Sequence, residues 1–195
     1  MAIVKEDEYE KMRWDGIAKE LLRINRHNTV RSLIAASIHQ NASYEVYEEV
    51  GCVSSDGSTR CVDIIIIDRQ KDKGVILDPT IRFEMHEQQP QEMCREKQVI
   101  YEPCCQHLGA QYHITHWAVF GLMFGARDTI PRETLNQLKQ FKIADAMIDT
   151  IGFHVLKSSL AIIEGLATRV DQVHLWSICG LIQYRMKKTY IYSLP

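Results

Sequence analysis

Apolar residues along this chain recur with two different periods, and the switches between them mark its elements. Residues 5–25 form a charged stretch in which Trp14, Ile17, Leu21 and Ile24 recur near helical spacing. Asn28 is placed to cap a second helix, whose Val30, Leu33, Ile34 and Ile38 stand at i, i+3, i+4 and i+8. "YEVYEEV" then alternates as a strand does, and "SSDGST" is a turn centred on Asp-Gly. Two more strands are predicted over 61–68 and 74–83. The first holds Ile64 to Ile67, a run that puts apolar groups on both faces and marks a central strand.

Pro90 opens a predicted helix that lasts to Tyr101 or Glu102, where Pro103 bends or ends it. "QYHITHWAVF" reads as a fourth strand. "GARDTIPRETLNQLKQF" is a glycine-led loop entering a helix, with Pro131 near its first turn. Residues 143–163 are helical in pattern, and the tail to Pro195 has none. This order fits one α/β domain built on a short meander.

The two strands of the central hairpin each carry an aspartate. Pairing Asp68 with Lys73 across the short charged loop sets Asp63 opposite Asp78, with Cβ atoms about 4.5–5.5 Å apart. Two carboxylates so placed repel by about 1 kcal/mol in water and about 4 kcal/mol at an effective dielectric of 20. Stability alone does not favour such a pair, and Mg²⁺, which binds one or two carboxylates and keeps its waters, reverses the sign. The plainer reading makes both strand-end residues in solvated turns.

Lys97 shifts that balance. It lies four residues after Met93, three before Ile100 and four before Tyr101, so it points from its helix toward the sheet. Two aspartates and a lysine together form the set used for metal-assisted phosphodiester hydrolysis.

Charge and cysteines narrow the field. A net charge of −2 and a pI of about 6.4 exclude a strongly basic nucleic-acid coat while allowing a local groove. The six cysteines show no zinc-ligand spacing and read as reduced, mostly buried thiols. The opening "MAIVKEDEYEKMRWDG" is too charged for a signal peptide, and no apolar run is read as long enough to span a membrane. An intracellular protein without a membrane partner is expected.

"VDIIIIDRQKDKGVILDPTIRFE" followed by "CREKQVIYEP" resembles the restriction-like endonuclease domain of site-specific non-LTR retrotransposons, a branch of the PD-(D/E)XK nucleases. The resemblance runs from about Arg26 ("RHNTV") to about Ile143, through "GARDTIP", and covers roughly two thirds of the chain. It implies a restriction-endonuclease-like mixed sheet flanked by helices and a Mg²⁺-dependent nick in DNA, with Mn²⁺ as a substitute. It also implies RNA or a separately supplied reverse transcriptase as further partners, and a nuclear site of action.

Carried over residue by residue, the paired acids fall on Asp63 and Asp78. The usual lysine position is Thr80, its role passes to Lys97, and Tyr101 follows one turn on. Val62 replaces the family's proline. The zinc knuckle of family members has no counterpart, since residues 1–51 lack cysteine, and no zinc is predicted.

The expected organisation is an arm at 1–26, a nuclease core at 27–125, helices at 126–166 and a tail at 167–195. Catalysis is expected from Asp63, Asp78, Lys97 and Tyr101. Metal binding is expected from Asp63 and Asp78 with an acid near the first strand. Glu45 and Glu49 share a strand face there, and Glu49 is taken forward. Arg60, Thr80 and Arg82 are the expected substrate contacts. His113 and His116 lie three apart on the predicted strand, which excludes them as joint ligands, and lone His27 and His154 read as structural. "RMKKTY" suits solubility or nucleic acid. The alternative function is a silent nuclease fold that binds nucleic acid or a protein.

Overall fold

Ile64, Ile65, Ile66 and Ile67 are all buried because helices cover both faces of their strand. A computed structural model describes residues 6–167, with side chains described for 16–163. Its elements are α1 (Glu6–His39), β1 (Glu45–Val53), β2 (Thr59–Asp68), β3 (Lys73–Arg82), α2 (Gln89–Tyr101), α3 (Cys105–Tyr112), β4 (His116–Gly125), α4 (Arg132–Gln140) and α5 (Asp145–Ala167). The four strands form one mixed sheet in the order β1-β2-β3-β4, with β4 parallel to β3 and the other neighbours antiparallel. One face packs Ile64, Ile66, Leu77 and Phe124 against α1, α4 and α5. The other packs Ile65, Ile67 and Ile76 against Tyr101, Cys104 and Leu108.

The expected hairpin register holds. Asp68 pairs with Lys73, and the ladder continues to Ile64 opposite Leu77. A 3-10 turn closes the hairpin: Asp68 accepts from the Lys71 backbone N–H at 3.2 Å and binds its ammonium at 2.9 Å. Asp72 takes the left-handed conformation at φ 49° and accepts from the Thr115 N–H.

Several expectations change. The first two helices are one, because no proline or glycine lies between Ile17 and His39 to end α1. Asn28 therefore sits inside the helix, its side-chain oxygen accepting from Arg31 at 3.5 Å. Ile17, Leu21 and Ile24 are exposed, so the apolar spacing of that first half does not mark a buried face. The predicted fourth strand starts too early, since Gln111 and Tyr112 end α3, which the sequence reading missed. His113 caps that helix in the left-handed region (φ 56°) and His116 begins β4, so the two do not share a strand.

The helices after β4 belong to the sheet's own core through Leu138, Phe141, Ile148 and Ile151. α5 also contains a stretch, Asp145–Ile163, long and apolar enough to cross a membrane, which the sequence reading overlooked. Here Ile148, Ile151, Val155 and Leu156 are buried within the protein. Of the thiols, Cys52 and Cys104 are buried and Cys61 is exposed. Cys179, "RMKKTY" and the tail from 168 onward lie outside the described residues.

Candidate active site

The sheet forks where the two aspartates stand. β2 and β3 pair only as far as Ile64 and Leu77. Beyond that rung β2 stays with β1 as far as Thr59, while β3 follows β4 to Arg82. Asp63 and Asp78 occupy the first positions past the last rung. Pro79 comes next, lacking a donor N–H, on a stretch of β3 that β2 has left. A cavity of about 460 Å³ opens at the fork, and both carboxylates line it together with Arg26 and His27 of α1, Thr80 of β3, and Lys97 and Tyr101 of α2.

Each carboxylate is held from a different side. The Asp78 side chain is 3% exposed, and its Oδ1 meets Lys97 Nζ at 3.0 Å and accepts from Thr80 Oγ1 at 3.2 Å. Asp63 Oδ2 faces His27 Nε2 at 3.3 Å. Burial first, and Asp63's charge second, raise the Asp78 carboxyl above its ordinary range, against the opposing pull of Lys97 and Tyr101. The hydrogen bond to Asp63 raises His27, with burial working against it. Tyr101 donates to the Cys61 carbonyl at 3.1 Å, and burial followed by the Asp78 charge pushes its phenol up.

Lys97 reaches Asp78 because β4 offers no side chain at the crossing. Gly121 is the β4 partner of Asp78. A Cβ there would stand 2.9 Å from Lys97 Cγ and 3.0 Å from Cys94 Cα and the Met93 carbonyl oxygen. Gly121→Ala is therefore expected to push α2 off the sheet, costing about 1–3 kcal/mol in urea unfolding and displacing the lysine. An unchanged midpoint would show that α2 shifts freely. A glycine inside the apolar run "WAVFGLMFG" was the available signal.

The acids of β1 part company. Glu45 binds Arg69 at 2.8 Å beside α3, whereas Glu49 binds Arg31 of α1 at 2.6 Å. The expectation that they share a face fails because Glu49 is left-handed (φ 53°), which interrupts the pleat. The β1–β2 ladder skips the rung between Glu49 and Asp63 without changing register, and beyond it Val62 joins the opposite core from Ile64. Glu48 also turns to Arg31, at 3.1 Å.

The expected substrate contacts divide in the same way. Thr80 lines the cavity. Arg82 instead reaches Glu96 at 3.4 Å, and the exposed Arg60 donates to the Thr59 carbonyl. Neither of these arginines nor Glu49 is among the cavity walls. Among the described residues no group of three His, Cys, Asp or Glu side chains is placed to hold a metal. Two carboxylates suffice for Mg²⁺ when water fills its remaining positions, and an all-oxygen pair suits a hard cation. His27, read as structural from the sequence, touches Asp63 from an element too distant in the chain for any local pattern to place it. No protein-family model matches this chain, and no curated protein matches it.

Proposed function

We propose that the protein is a metal-dependent DNA endonuclease of the restriction-like type, akin to those of site-specific non-LTR retrotransposons. The observation that carries this reading is the pair Asp63 and Asp78 at the sheet fork, one of them buried against Lys97. A fold gains no stability from a near-buried carboxylate that burial and a second carboxylate both disfavour. Such a pair serves a cation.

Asp63 and Asp78 would hold Mg²⁺. When bound, the ion neutralises phosphate charge and lowers the pKa of its water. The chain's own groups supply the rest. Lys97 holds one Asp78 oxygen in place and presents positive charge where a phosphorane would gain negative charge. Tyr101, one turn along α2, lines the same cavity and ties α2 to β2 through its bond to the Cys61 carbonyl. Thr80 fixes the Asp78 rotamer through its hydroxyl.

Nicking of supercoiled plasmid by the purified chain tests the reading. Open circles are expected with Mg²⁺ or Mn²⁺ and none with EDTA. A folded protein that binds DNA yet leaves every plasmid intact with either metal would replace the nuclease with a binding module.

A further inference from the structure

We propose that Arg26 is the phosphate anchor of the fork cavity and grips a backbone phosphate of bound duplex DNA. This rests on the nuclease reading above and names the group that holds its substrate. The other charged residues lining the cavity are matched: Arg23 with Glu20 at 3.2 Å, His27 with Asp63 at 3.3 Å, and Lys97 with Asp78 at 3.0 Å.

Arg26 has no carboxylate partner among the described residues. Its Nη1 donates to Ser159 Oγ of α5 at 2.7 Å, and its Nε is buried with no partner. Burial, and after it the charge of Arg23, disfavour its charged form. An anion at this wall offsets both costs, and a guanidinium is the side-chain group best suited to bind a phosphate oxygen. Arg26 directly precedes His27, which touches Asp63, so a phosphate held there lies in the same cavity as the carboxylates. Arg60 and Arg82, the arginines suggested by the sequence, are engaged elsewhere.

The test is fluorescence anisotropy with a short labelled duplex in EDTA, so that binding is read without hydrolysis, across about 50–200 mM salt. Arg26→Gln is expected to weaken binding about tenfold and to flatten the plot of log K against log salt by about 0.9. Arg26→Lys should keep the slope while losing part of the affinity. Ser159→Ala, which breaks the same tie to α5 but leaves the guanidinium, should change neither. If a folded Arg26→Gln variant or, should that variant not fold, Arg26→Lys matches Ser159→Ala in both affinity and slope, the anchor is refuted. Wild-type protein that binds no duplex refutes it too. Arg26-dependent binding without nicking would sink the nuclease and leave the anchor standing. Nicking with Arg26-independent binding would do the reverse.

Discussion

Asp78→Asn is expected to lower Mg²⁺-supported nicking by about 10³-fold while leaving the urea midpoint equal to or above that of the wild type. The loss corresponds to about 4 kcal/mol of transition-state stabilisation. It follows from exchanging a charged oxygen ligand for a neutral amide. The stability half follows from Asp78's surroundings. Its folded pKa is raised, so whatever stability its protonated form contributes is present at low pH and lost as pH rises through the folded value. At pH 7.5 an asparagine of the same shape removes the buried charge and its repulsion from Asp63. The Lys97 side chain, 17% exposed against 3% for Asp78, can meanwhile turn its ammonium to water on its flexible stem. The amide oxygen can still accept from Lys97 and Thr80, as the carboxylate oxygen does. Single-turnover nicking and urea unfolding in EDTA measure the two halves. A variant that nicks within tenfold of wild type takes Asp78 out of the chemistry. A variant that is both slow and strongly destabilised makes its role structural.

How much of this was legible in the sequence depended on whether a feature is set by near neighbours. The β2–β3 register was readable because a short charged loop and an unbroken isoleucine run leave few ways to pair. The inward aim of Lys97 was readable because helical spacing ties it to Met93 and Tyr101, both buried. The α1 wall of the site was not. Where a long helix lies against a sheet is decided by packing across the whole core, and "RINRHN" carries no sign of it. Glu49 shows a second limit, since strand alternation assumes a regular pleat and one left-handed residue cancels it. Holding glutamate in that region costs about 1–3 kcal/mol. The strain sits beside Asp63, at the one rung the β1–β2 ladder omits.

Lys97→Met is expected to cost about 3 kcal/mol of stability at pH 7.5 in EDTA, and the cost should shrink as the solution is acidified. Methionine keeps the stem that packs along Gly121 and removes only the ammonium. The wild-type pair, 3.0 Å apart with side chains 17% and 3% exposed, is largely shielded from water. Removing one member of such a pair leaves the other charge buried and uncompensated, which is dearer than removing both. The variant's Asp78 loses its main opposing influence, so its folded pKa moves further above the ordinary value of 3.8. The penalty is then absent below that ordinary value, where Asp78 is protonated in both states. It grows as pH rises and reaches its plateau above the new folded pKa. Asp78→Asn in the same chain should restore most of the loss, and a double-mutant cycle measures the coupling. Urea midpoints for the four proteins between about pH 4 and 8 decide the matter. A pH-independent loss in Lys97→Met, unrelieved by Asp78→Asn, would mean that the lysine contributes packing alone and that the carboxylate beneath it stays neutral.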